Sequence, residues 1–133
     1  KMITDMERIG DQAADIAEIT GYLKDRAGVE CDYIEDMASA AISMVSRSVD
    51  AFVRRDTAMA REVVDYDDVV DDLFDKVKLY LIDMISNKPG EGESAIDLIM
   101  IAKYFERIGD HATNIAQWVV FSVTGVHEGS EEI

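Results

Sequence analysis

Pairs of carboxylates set one helical turn apart are the residues of this chain best placed to do chemistry. The word Glu-Arg-Ile-Gly-Asp occurs at Glu7–Asp11 and again at Glu106–Asp110. Residues four apart share one face of a helix, so Glu7 with Asp11, and Glu106 with Asp110, each present two carboxylates side by side. A third pair at this spacing, Asp67 and Asp71, lies inside Asp65-Tyr66-Asp67-Asp68-Val69-Val70-Asp71-Asp72. Like charges so placed destabilise a helix by roughly 0.2–0.5 kcal/mol per pair. Three such pairs point either to a fully solvated face or to a bound cation.

Position bears on that choice. Glu106 follows Phe105, Asp67 follows Tyr66 and Asp71 follows Val70, so these acids border an apolar stripe rather than oppose it. If the two helices pack together, four carboxylates face each other across the seam, and without a cation their pKa values rise. Oxygen-only donors suit Mg²⁺, Mn²⁺, Ca²⁺ or iron. Two histidines and one cysteine are too few for a structural zinc site to be expected. The alternative is a wet flank neutralised by Lys103 or Arg107.

The echo around the second motif is longer than the pentamer. Met6–Ala17 set against Phe105–Ala116 gives eight identities in twelve positions, adding Ala13/Ala112, Ile16/Ile115 and Ala17/Ala116. A repeat that keeps charged as well as apolar residues implies a common use. Gly10 and Gly109 recur inside it, although glycine within a helix costs up to about 1 kcal/mol relative to Ala. Their retention predicts close approach of a neighbouring helix or a ligand. His111 can ligate a metal or hydrogen-bond a carboxylate, but Gln12 stands at its place in the first copy, against a shared ligand role. The first copy lies close to the start of the chain, which reads as the C-terminal part of a longer two-unit protein.

Four helical segments must position these groups. The first runs from Lys1 to about Asp25, with Met2, Met6, Ile9, Ala13, Ile16, Thr20 and Leu23 at spacings of four and three, and Gly28 at the expected stop. The second, about Asp32 to Arg55, carries Ile34, Met37, Ala41, Met44, Ser48 and Ala51. Asp56 reads as the N-cap of a third helix, Thr57 to about Ser86, striped by Met59, Val63, Tyr66, Val70, Leu73, Val77, Tyr80 and Met84. The breakers of Asn87–Glu93 follow, and Ser94 with Asp97 approximates a capping box for a fourth helix ending at Gly125. Its stripe is Leu98, Ile101, Phe105, Ile108, Ala112, Ile115, Val119 and Ser122. This alternation is the period of near-parallel bundle packing, and short links make sequential helices antiparallel. The expected fold class is an all-α antiparallel bundle.

Composition agrees. The 133 residues are 48% apolar with one proline, enough for a single core. No apolar run reaches the ~20 residues that span a bilayer. The lone Cys31 cannot make an internal disulfide, which favours a reducing, cytoplasmic setting. A net charge of −15 repels phosphate backbones and anionic lipid and attracts cations and basic protein patches. No phosphate loop, nucleophile elbow, His-Glu metalloprotease pair or Glu-x-x-His motif is present.

Lys103-Tyr104-Phe105-Glu106-Arg107-Ile108-Gly109-Asp110-His111-Ala112-Thr113-Asn114-Ile115-Ala116 closely resembles the signature that ends each repeat of the PhoU family. Met6–Ala17 resembles the same signature closing the first repeat, and Asp67–Leu73 looks like the acidic stretch on a repeat's middle helix. The resemblance implies two three-helix bundles in the whole protein. Residues 1–28 would be the last helix of a truncated first repeat, 29–127 a complete second repeat, and 128–133 a flexible tail. It implies a non-enzymatic regulator of phosphate uptake and phosphate-responsive signalling that contacts a sensor histidine kinase and a phosphate ABC transporter ATPase. It also implies metal, iron or another cation, at Glu106, Asp110, Asp67 and Asp71, with Glu7 and Asp11 as half of a first site. The first helix must hide its apolar face on the bundle or against a second chain, and a homodimer is expected. A carboxylate-bridged metal enzyme, hydrolase or oxidase, is the alternative of another class, and a plain helical scaffold is a third.

Overall fold

The computed structural model describes residues 2–23 and 31–125. Among these are four α-helices and no strand: α1 (Met2–Leu23), α2 (Asp32–Arg54), α3 (Thr57–Asn87) and α4 (Gly92–Thr124), with one 3-10 turn, Pro89–Glu91, before α4. The all-α bundle expected from periodicity is therefore the fold. Helices α2, α3 and α4 each touch the other two, whereas α1 lies along α4 alone.

Local chemistry explains most boundaries. Asp56 caps α3 by accepting the Met59 amide at 3.0 Å. Arg55 ends α2 in the left-handed region at φ 55°, and Gly125 ends α4 at φ 78°. The expected capping box at Ser94 does not form. Pro89 starts the 3-10 turn, that turn runs directly into α4, and the helix begins at Gly92 with Ser94 already inside its first turn. The stop expected at Gly28 and the tail beyond residue 127 lie outside the described residues.

The core is built from small and β-branched side chains as much as large ones. Val63, Val70 and Val77 of α3, seven residues apart, are fully buried. On α4, Ala95, Ala102, Gly109 and Ala116 recur at the same interval, and all four are buried. A seven-residue repeat keeps one seam facing one neighbour. A Cβ placed on Gly109 would stand 3.7 Å from Val70 Cγ1, which identifies that neighbour as α3. Met37 and Met44 of α2 close the third side.

Helix α1 hides its apolar stripe only in part. Ile9, Ile16 and Ile19 are half-buried, while Ile3 and Met6 are exposed. Because α1 does not reach α2, an apolar cleft of about 400 Å³ remains between them, floored by Phe105 and Ile108 of α4. The polar anchor is Asp5, 7% exposed, which accepts from the His111 ring at 2.9 Å and from Asn114 Nδ2 at 3.2 Å.

The cap gives one direct check on this fold. Asp56→Ala is expected to lower stability by about 1 kcal/mol, measured as a shifted urea midpoint with an unchanged slope.

Candidate cation site at the seam of the third and fourth helices

The small residues of α4 let α3 come close, and closeness assembles the acids. A Cβ placed on Gly109 would stand 3.4 Å from Met44 Sδ and 3.7 Å from Asp67 Oδ1. Asp67 thus lies against the backbone of α4, beside the turn that carries Asp110. The helices run antiparallel: Asp67 faces Asp110, and one turn further on Asp71 faces Glu106. One oxygen from each of Asp67, Asp71 and Asp110 lies within 4.8 Å of the others, and these three are the candidate metal cluster among the described residues. Glu106 borders the cluster, its Oε1 accepting from Lys103 Nζ at 2.7 Å. Lys103 also stands over the Phe74 ring, 5.3 Å from its centre.

The electrostatics of this packing are unfavourable to ionised carboxylates. Asp67 is pushed up to about 6 from an ordinary value of 3.8, by burial first and then by the charges of Asp110 and Asp68. A hydrogen bond to Asp110, which only a protonated carboxyl can make, adds to the shift, as does Glu106. Asp71 is also raised to about 6, by burial, by Asp67 and by a hydrogen bond with Glu106. The Asp110 carboxyl is raised by burial and by Glu106 and Asp71, with Lys103 and His111 opposing. Asp67 Oδ1 is buried and has no hydrogen-bond partner. Oxygen donors crowded from two helices, with one oxygen orphaned, fit a hard cation: the ion would replace the missing hydrogen bond and reverse the repulsion.

The other expected site residues fare differently. Glu7 and Asp11 are exposed on α1, and neither belongs to a candidate cluster among the described residues. Close approach was expected at both glycines but occurs at one: nothing lies within 4 Å of a Cβ on Gly10. The reason is positional, since α1 touches only α4 and Gly10 is on its open side. Of the two roles open to His111, hydrogen bonding to a carboxylate is the one seen, with Asp5 as partner. Asp5 itself went unnoticed in the sequence. It lies outside the repeated word, with Tyr104 at its place in the second copy, and nothing local marks it as buried. The small stripe of α4 was also missed, although its seven-residue spacing is readable.

Comparison with known proteins places the chain. Residues 34–119 match the PhoU domain. A phosphate-specific transport system accessory protein PhoU homolog from Clostridium acetobutylicum is 33% identical over 126 residues, covering 94% of this chain and 58% of that protein. One from Burkholderia sp is 35% identical over 130 residues, covering 94% and 55%. The crystal structure of PhoU from Pseudomonas aeruginosa superposes with a TM-score of 0.90 at 33% identity, over 95% of this chain and 61% of that one. That of the phosphate transport system regulatory protein PhoU from Streptococcus pneumoniae, at 22% identity, shares the fold with a TM-score of 0.85. The chain belongs to the PhoU family, and it spans little more than half the length of these curated relatives. Their names are those of accessory proteins.

Two outcomes are expected of the seam. Asp67 and Asp71 hold protons more tightly folded than unfolded, so they stabilise the cation-free bundle fully below about pH 4, and this contribution is lost as pH rises through about 6. Urea unfolding in chelator is expected to show that fall, and the double variant Asp67→Asn, Asp71→Asn is expected to lack it. Gly109→Leu, which forces a side chain into Met44 and Asp67, is expected to cost roughly 1–3 kcal/mol, again by urea unfolding.

Proposed function

We propose that the chain is part of a cytoplasmic, cation-binding regulator of phosphate uptake and phosphate-responsive signalling. In this reading it is a helical adaptor that docks on a sensor histidine kinase and on the ATPase of a phosphate ABC transporter. The observation that carries the cation part is the meeting of Asp67, Asp71 and Asp110 within 4.8 Å across two helices. The transport part is supported by family membership and by the names of the relatives. No described helix is long and apolar enough to cross a membrane, which is compatible with a peripheral partner of a transporter.

Asp67, Asp71 and Asp110 would hold the ion, with Glu106 alongside. The ion would supply positive charge where these carboxylates repel one another, and so favour the arrangement in which α3 and α4 are tightly closed. Occupancy that binds one arrangement better shifts the population toward it, and a partner reading the bundle surface senses that shift. The net charge of −15 favours partners with basic faces. Glu7 and Asp11, exposed on α1, would belong to a first site completed by acids of the first repeat. The half-open apolar side of α1 is where a homodimer or the remainder of the protein would be accommodated.

Equilibrium dialysis with Mn²⁺, Mg²⁺ and iron tests the cation reading. Saturable binding is expected for the wild-type chain, and its loss in the double variant Asp67→Asn, Asp110→Asn. Undiminished binding in that variant would sink it. For the adaptor role, pull-down of the kinase and the transporter ATPase by the parent protein is expected, and failure to retain either would overturn it.

A further inference from the structure

The cleft of about 400 Å³ between α1 and α2 has no charged residue in its lining. Ile9, Ala13 and Ile16 form one wall, Ile42 and Val45 the other, and Ser46 is its one polar side chain. Ile42 stands on the rim, 66% exposed. Volume and lining match those of binding pockets, which are mostly apolar and hold roughly 300–1,000 Å³. From Ile9 to Ile16 is two helical turns, about 10 Å along the groove.

The two ends of the groove differ in charge. Helix α1 runs antiparallel to α4, since Asp5 meets His111 and Asn114 while Ile9 and Ile16 lie with Phe105 and Ile108. Helix α2 runs parallel to α4. Across α2 and α3, Arg47 pairs with Glu62 and Tyr33 meets Tyr80, and across α3 and α4, Asp67 faces Asp110 and Asp71 faces Glu106. The end of α1 and the start of α2 therefore lie at the same end of the groove. Glu18 follows Ile16 by two residues there, and Glu35 precedes Ile42 by seven on the same rim of α2. Both are exposed. At the other end the exposed groups are apolar: Ile3 and Met6 of α1 and Phe52 of α2.

We infer that this groove seats an amphipathic helix of a partner protein, its apolar stripe on Phe105 and Ile108 and its basic end between Glu18 and Glu35. The inference rests on the adaptor reading above and names the kind of segment through which a partner is recognised. Helices that dock in grooves do so through apolar anchors at i, i+3 or i+4 and i+7, which is the length of this cleft. An extended segment is a poorer fit, because both walls are helices and offer no free backbone groups to pair with it. A second copy of the chain is disfavoured by charge: it carries its own −15 to a rim that is already acidic. Basic residues on the docked helix meet that rim favourably, and the uncharged lining accepts only apolar side chains.

Fluorescence anisotropy of labelled synthetic peptides on the full chain tests this. One probe is a helix with a leucine stripe and a lysine-rich end. A second replaces its lysines by glutamates, and a third is a scramble that keeps the lysines and loses the stripe. The first is expected to bind saturably, and the other two at least roughly tenfold more weakly. Ala13→Trp, which fills the cleft from an exposed position, is expected to weaken the first probe roughly tenfold, with thermal unfolding to check that the bundle is retained. Glu18→Lys with Glu35→Lys is expected to reverse the preference between the lysine and glutamate probes. Failure of the first probe to bind, equal binding of the scramble, undiminished binding by Ala13→Trp or an unreversed preference overturns the inference. So does a chain that sediments as a dimer and binds no probe, which gives the groove to a second copy. A parent protein that binds none while the chain does overturns it too, giving the groove to the rest of the parent. None of these outcomes decides the adaptor reading, which falls only if the parent protein fails the pull-down above.

Discussion

How closely α3 can approach α4 is the constraint on which the rest of this structure depends. Ala95, Ala102, Gly109 and Ala116 give α4 a face with almost no side-chain height, and Val63, Val70 and Val77 fill it. Without that proximity Asp67 and Asp71 would project into water, and their charges would be screened within a Debye length. With it, they meet Asp110 and Glu106 in partial burial and hold their protons to about pH 6. The core thus holds the acids in an arrangement that their charges oppose. Burial of valine and alanine favours closing the seam, and the carboxylates disfavour it.

The same pentapeptide meets two different environments. In α4, Glu106 and Asp110 look across at α3, and Gly109 is packed against α2 and α3. In α1, Glu7 and Asp11 are exposed and Gly10 has open space around it. Nothing in the word itself differs. The difference lies in the neighbours: α4 is the one helix that touches all the others, and α1 touches only α4. Asp5 makes that single contact specific, because a buried carboxylate given two side-chain hydrogen bonds cannot slide along α4 without losing both. Its partners, His111 and Asn114, flank the turn of Asp110, so α1 and α3 grip the same turn of α4 from different sides.

A cation-responsive regulator, as proposed, suits this arrangement. Its carboxylates come from two helices, so an ion bound between them reports on helix packing, which a site within one helix could not do. The acidic surface, with 28 acids against 13 bases, adds long-range attraction for cations and basic protein faces. Regulation in such a molecule works through affinity between states and needs no bond to be broken. That agrees with a family whose members are named as accessory proteins.

Periodicity determined the fold class, because burying one stripe per helix leaves a bundle as the only way to cover four stripes joined by short links. It also fixed the cap at Asp56 and the stop at Gly125, which are local matters of hydrogen bonding and φ. Spacing alone marked the three acid pairs as candidates. Which pairs meet was a tertiary matter: carboxylates i, i+4 look identical whether they face a helix or the solvent, and only the pairs on α3 and α4 face one another. The Asp5–His111 contact joins residues more than a hundred positions apart, so no local pattern encodes it. The start of α4 escaped for a smaller reason, since the 3-10 turn after Pro89 runs straight into the helix and leaves Ser94 no end to cap.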